Sequence, residues 1–170
     1  MDHVTSGGRT MTRERRGVWR VLMGFALRST VLHVATYMII GAASYWLLAR
    51  SYWTGPDALP WLRDPEAGFV QRWLFPAQIL RGILHGIALF PFRNTLLEMR
   101  RWGGAAIAAL LLLIGSIAGI SGVIEDWVYS TTFHGGLFLV HLPEVVLQTL
   151  LYGYGLLAWE RRVQRRHGGT

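Results

Sequence analysis

An all-α fold, built as a bundle of four membrane-spanning helices with both termini cytoplasmic, is what the sequence predicts, and three observations predict it. Apolar residues make up 52% of the 170-residue chain and fall in long blocks rather than in alternation, the pattern of a chain solvated by lipid. Each block approaches the ~20 residues that cross a hydrocarbon core. Arginine is distributed by side: the amino terminus, the loop at 93–103 and the carboxyl tail are basic, and the other two connections are balanced or acidic. An even number of spans with both ends inside satisfies that asymmetry.

Residues 1–28 carry Arg9, Arg13, Arg15, Arg16, Arg20 and Arg28, with Gly7 and Gly8 near the start. They read as a disordered tip followed, from about Val18, by a basic amphipathic helix on the inner membrane surface. The apolar run that follows exceeds the ~7–15 residues of a signal-peptide core, and 50–53 offers no small-x-small cleavage site. The segment is therefore expected to remain as an anchor, ahead of a membrane domain at 29–160 and a basic tail at 161–170.

The first span is expected at 29–49. Its polar residues Thr30, His33, Tyr37 and Ser44 are three, four and seven apart, which gathers them on one inward helical face. Tyr45, Trp46, Tyr52 and Trp53 form an aromatic belt beyond it. Residues 51–72, interrupted by Pro56, Pro60 and Pro65, make the longest polar connection and no continuous helix.

Span two, at 73–92, places Pro76 in its first turn, where a missing N–H costs little, and stops at Pro91. Gly82 and Gly86 form a small-x-x-x-small pair that admits a neighbouring helix closely. Residues 93–103 read as a short basic loop, with Arg93, Arg100 and Arg101 against Glu98. The third span, 104–124, carries Gly115, Ser116, Gly119 and Gly122 on a close-packing face, and Glu125, Asp126, Trp127 and Tyr129 close it. A fourth span at 136–159 precedes Glu160 and the arginine-rich tail. The glycine faces of spans two and three suit oligomerisation.

All seventeen basic residues are arginine and the net charge is +7. The exclusive use of arginine points to a GC-rich bacterial genome. Clustered beside apolar blocks, the charge reads as a patch for anionic lipid headgroups and not for nucleic acid. Without cysteine, the chain makes no disulfide, thiolate metal site or cysteine nucleophile. Ser44, Ser116 and Ser121 lack a nucleophile-elbow context, and the glycines build no phosphate loop.

Polar residues inside spans two and four are the candidate site. Gln78, Arg81 and His85 in span two and His141, Glu144 and Gln148 in span four share offsets of three and seven, and Tyr152 continues the second stripe. Spans two and four run in the same direction, so Gln78 is matched in depth with His141, Arg81 with Glu144 and His85 with Gln148. At about 1.5 Å of rise per residue, Arg81 and Glu144 lie roughly 12 Å below the outer boundary. A lone charge at the centre of a bilayer costs roughly 2.5–3.5 kcal/mol on insertion scales, so the two are expected to pair across facing helices.

Two readings of that ladder stay open. It either fixes which helices pack together, or lines a small cavity where Glu144 handles a proton or cation, or Arg81 an anion. Pro143, expected to free a carbonyl in the turn before Glu144, leans towards the cavity. His33 and His85, at similar depth in antiparallel neighbours, are the minimum ligand set for a b-type haem. Di-iron chemistry needs four buried carboxylates, and Glu144 is the one expected at depth.

The segments Gln78-Ile79-Leu80-Arg81-Gly82, with Pro91 ending the same helix, and His141-Leu142-Pro143-Glu144, followed by Leu151-Tyr152-Gly153, resemble a loosely defined group of small bacterial integral membrane proteins of unknown function. That group carries an Arg-Gly motif in one helix and a His-x-x-Glu motif in a later one. The resemblance covers the second and fourth spans, implies a multi-helix inner-membrane protein and supplies no activity. The proline-rich loop and basic amino-terminal segment have no counterpart in it. The expected function is therefore non-enzymatic, a small transport component or an accessory subunit of a membrane assembly, without a cofactor. The alternative is a redox protein holding haem b through His33 and His85.

Overall fold

A computed structural model of the protein describes residues 6–50, 63–99, 101–117, 128 and 142–167. Among them the structure is helical, without a strand. Helix α1 (Ser6–Ser44) leads into a π-helical turn (Tyr45–Ala49), and α2 (Gly68–Leu89) ends in a 3-10 turn (Phe90–Phe92). A short α3 (Arg93–Glu98), α4 (Trp102–Ile117) and α5 (Leu142–His167) follow. Over Gly17–Leu47 and Gly68–Glu98 the chain is helical, long and apolar enough to cross a membrane, and Trp102–Leu112 is a shorter apolar helix.

Several boundaries differ from expectation for identifiable reasons. The separate disordered tip and surface helix are replaced, from Ser6 onward, by one unbroken helix of 39 residues. The first proline of the chain is Pro56, so nothing before it removes a helical hydrogen bond, and glycine alone costs only about 1 kcal/mol per site. Residues 1–5 lie outside the described part. Helix α2 begins at Gly68, five residues before the expected span, after a turn in which the Asp64 carbonyl accepts from Ala67 N and the Asp64 carboxylate from Glu66 N. Pro76 therefore sits inside the helix and not in its first turn.

The 93–103 loop also holds a helix, α3, set off by Pro91 at the start of the 3-10 turn. Helix α5 extends eight residues past the expected end at Trp159, through His167. Its tail is rich in Arg, Glu and Gln, which favour helix, and it meets no glycine until Gly168. Pro143 is the second described residue of α5, and the turn before it, where a freed carbonyl was expected, lies outside the described residues.

Small residues decide how the helices meet. A Cβ on Gly82 would lie 2.6 Å from Thr30 Cα, and one on Gly86 2.6 Å from Ala26 Cα. The backbones of α1 and α2 thus touch along the small pair read from the sequence, running antiparallel. Helices α4 and α5 pack antiparallel by the same device: Gly103 faces Leu157, and Gly153 faces the Gly104 carbonyl and Ile107. These positions were not singled out in the sequence. Gly115, Gly119 and Gly122, which were, fall outside the described side chains.

Helix α1 also packs along α5, with Arg28 beside Glu160 at one end and Gly41 beside Glu144 at the other. Helices α2 and α5 are consequently parallel, in the relation expected of spans two and four. Among the described residues α1 packs extensively on both, and α2 and α5 meet mainly through side chains.

The radial distribution of polarity is inverted relative to a water-soluble protein. Ser29, Gln78 and Glu160 are 0% exposed and His33 3%, whereas Trp19, Leu27, Ile39 and Leu47 are 62–79% exposed. Water penalises that arrangement and hydrocarbon does not. A conventional apolar cluster of Phe25, Leu89, Leu96, Ile107, Leu156 and Leu157 fills one end of the bundle, beneath the polar residues of α1.

Candidate functional site

The inward stripe of α1 is the axis of the site. Successive residues at four-residue spacing carry Ser29, His33, Tyr37 and Gly41 down one face, and α2 and α5 supply a polar partner at nearly every level.

At the first level stands a carboxylate with two guanidiniums. Arg28 Nε donates to Glu160 Oε1 in a short ion pair. Arg93 donates from Nε to Glu160 Oε2 at 2.8 Å and approaches with Nη2 at 2.7 Å. Glu160 is wholly buried, while the arginine side chains stay 17% and 14% exposed. Gly24, one turn before Arg28, makes room for its guanidinium, since a Cβ there would lie 3.2 Å from Nη1. Glu160 was read as the first residue of a solvated tail, and Glu144 as the deeply buried carboxylate. The positions are reversed: Glu144 is half-buried and Glu160 is sealed, because α5 continues past Trp159 and turns Glu160 inward between α1 and α3.

One level further in, Ser29 Oγ donates to the Gly82 carbonyl at 2.9 Å and lies 2.6 Å from the Tyr152 hydroxyl. With the serine proton committed to the carbonyl, the tyrosine is the donor in the second bond. This pair ties α1 to α2 and α5 at once. The helical glycine leaves its carbonyl within reach.

The central level holds the imidazoles. His33 Nε2 lies 3.0 Å from Gln78 Oε1, so Nε2 carries the proton and the ring is held in that tautomer. The His85 ring meets the His33 ring edge to face, centroids 4.9 Å apart, and both lie within 6.0 Å of the Tyr152 ring. Gln78 Nε2 and His85 Nδ1 are buried and have no hydrogen-bond partner among the described residues. Nearer the other end, Glu144 Oε1 would lie 3.4 Å from a Cβ on Gly41, with Tyr37 beside it.

The expected residues are therefore gathered, with α1 at their centre. Gln78, Arg81, Gln148 and Tyr152 are buried, and His85 and Glu144 are partly so. Among the described residues His33 is the partner of Gln78, and His141, the partner expected for it, lies outside them. The haem ligands of the alternative reading, His33 and His85, are adjacent, but their rings touch each other and His33 Nε2 is engaged by Gln78. A macrocycle has no slot between rings so placed, and the arrangement does not fit a haem ligated by both. Among the described residues no group of three or more His, Asp or Glu could hold a metal ion.

Ser29, Arg28, Arg93 and Glu160 were missed as site residues. A signal existed for Glu160, which extends the four-residue stripe of Gln148, Tyr152 and Leu156 as it winds slowly around α5. Compared with known proteins, the chain matches no family model, no curated protein and no solved structure.

Proposed function

We propose that the protein is a non-enzymatic, multi-pass protein of a bacterial inner membrane, with four spans and both termini on the cytoplasmic side. It serves as a small transport component or as an accessory subunit of a larger membrane assembly. The observation that carries this reading is the inverted polarity of the bundle, with Ser29, His33, Gln78 and Glu160 inside and large apolar side chains outside. Lipid acyl chains cover the exposed apolar faces, and anionic headgroups sit at the arginine-rich end.

Topology tests the reading directly, and the absence of cysteine makes single-cysteine labelling clean. Asp57→Cys and Ser130→Cys are expected to react with an impermeant maleimide added to intact cells. Asn94→Cys and Gly168→Cys are expected to react only after permeabilisation. Labelling of positions 57 and 94 from the same side would remove the four-span arrangement.

Within this proposal Arg81 and Glu144 form the charge pair that organises α2 and α5. Glu144→Gln strands a guanidinium in the bundle, whereas the double change Arg81→Gln with Glu144→Gln removes both charges. The single variant is therefore expected to lose more thermal stability in detergent than the double one. Additive losses from the two single changes rule out direct coupling.

A further inference from the structure

We propose that the polar column along α1 is a proton path, with His33 and His85 the exchanging pair at its centre. This inference rests on the membrane reading above and names the transported species. The column runs from Arg28, at Glu160, to Gly41, at Glu144. At about 1.5 Å per residue that stretch of helix is ~20 Å long, two-thirds of a hydrocarbon core of ~30 Å. Groups able to gain or lose a proton stand along it: Glu160 at one end, then Tyr152, His85 and His33, and Glu144 at the other. Ser29 extends the column from the Tyr152 hydroxyl and Gln78 from His33 Nε2.

Two features separate a path from a structural network. A network that only fixes helix packing gains by closing every hydrogen bond, and each buried polar atom left open costs about 1–3 kcal/mol. Among the described residues the centre of the column leaves Gln78 Nε2 and His85 Nδ1 open, although Gln78 is 0% exposed. An imidazole nitrogen without a protein partner can accept a proton, and the ring can release one from its other nitrogen, so proton number and charge balance at each transfer.

The second feature bears on what moves. The two imidazoles touch edge to face, which closes the centre to a multi-atom solute. A proton needs no opening of that size, because small rotations of the rings bring a donor and an acceptor nitrogen together for each transfer. Arg81, buried on the same face of α2, is a fixed positive charge beside this route and opposes entry of other cations. It also raises the barrier for the proton, so flux is expected under an imposed membrane potential rather than at rest.

The test uses the purified full-length chain in phosphatidylcholine–phosphatidylglycerol vesicles holding a pH-sensitive dye, with a potassium gradient clamped by valinomycin. Wild-type vesicles are expected to change internal pH several times faster than protein-free ones. His85→Phe keeps a ring of similar size without nitrogens, and its flux is expected to fall on the order of 100-fold, the usual contribution of a positioned proton-transfer group, or to the protein-free leak. Leu151→Ala, on the exposed apolar side of α5, is expected to leave flux unchanged. Wild-type flux equal to that of protein-free vesicles overturns the proposal whatever the variants do. So does full flux in a His85→Phe protein whose helix content matches wild type. Absent flux with the cysteine-labelling pattern intact removes the proton path alone, whereas a failed labelling pattern removes the membrane reading beneath it.

Discussion

Glu160→Gln is expected to destabilise the folded protein by about 3–5 kcal/mol, the usual cost of removing one member of a buried ion pair, read as a large drop in thermal stability in detergent. Glu160 is sealed, and both its oxygens are taken, one by Arg28 and one by Arg93. Take the negative charge away and two guanidiniums are left facing each other and a neutral amide. The sign of the effect is checked by a second variant. Replacing all three residues at once, as Arg28→Met, Arg93→Met and Glu160→Leu, removes the desolvated charges together and is expected to cost less than the single change. A single substitution that costs under about 1 kcal/mol, the range of exposed pairs, would show the triad to be solvated and the buried placement of Glu160 to be wrong.

The second large effect concerns the seam between α1 and α2. Gly86→Ala would set a methyl 2.6 Å from the Ala26 backbone and 3.1 Å from the Ser29 side chain, and Gly82→Ala would do the same to Thr30. The near atoms belong to a helical backbone and cannot rotate away, so the helices must separate. Each change is expected to cost about 1–3 kcal/mol, and Gly82→Ala also to lengthen the Ser29 bond to the residue-82 carbonyl. Gly17→Ala is the matched control, because nothing lies within 4 Å of a Cβ there. Greater helix propensity is expected to make that variant more stable by up to about 1 kcal/mol. Equal responses at positions 17 and 86 would mean that the seam is looser than described.

The residues that could be read from sequence were those whose neighbours are set by helical spacing. Thr30, His33 and Tyr37 shared a face by their offsets and are buried together. Gly82 and Gly86 announced a close approach by their four-residue separation, though not which helix would fill it. Gln78, Arg81 and His85 were grouped on α2 for the same reason. What spacing could not supply was the third dimension. Depths along α2 and α5 were matched without α1, and no local signal indicated that α1 packs against both and brings His33 to Gln78.

Helix ends were the other weak point. Pro76 was placed by where a span ought to start, yet α2 begins five residues earlier, and α5 runs eight residues past its expected end. The reassignment of Glu160 follows from one such error. Once the tail after Trp159 is helical, the residue one position on has to point somewhere, and the four-residue stripe through Gln148, Tyr152 and Leu156 points it inward. A charge count that treated the tail as solvated could not see this, because an arginine-rich flank looks the same whether or not one acid within it is sequestered.

At about 1.5 Å per residue, the 39-residue α1 measures ~58 Å, nearly twice the ~30 Å thickness of a bilayer interior. In the proposed setting the part ahead of Gly17 stands clear of the lipid as a rigid mast, carrying Arg9, Arg13, Arg15 and Arg16, with no proline to bend it. Because the helix is unbroken from there to Ser44, a tilt of the mast is passed along it to Ser29, where α1 is tied to Gly82 and Tyr152, and to His33 one turn beyond.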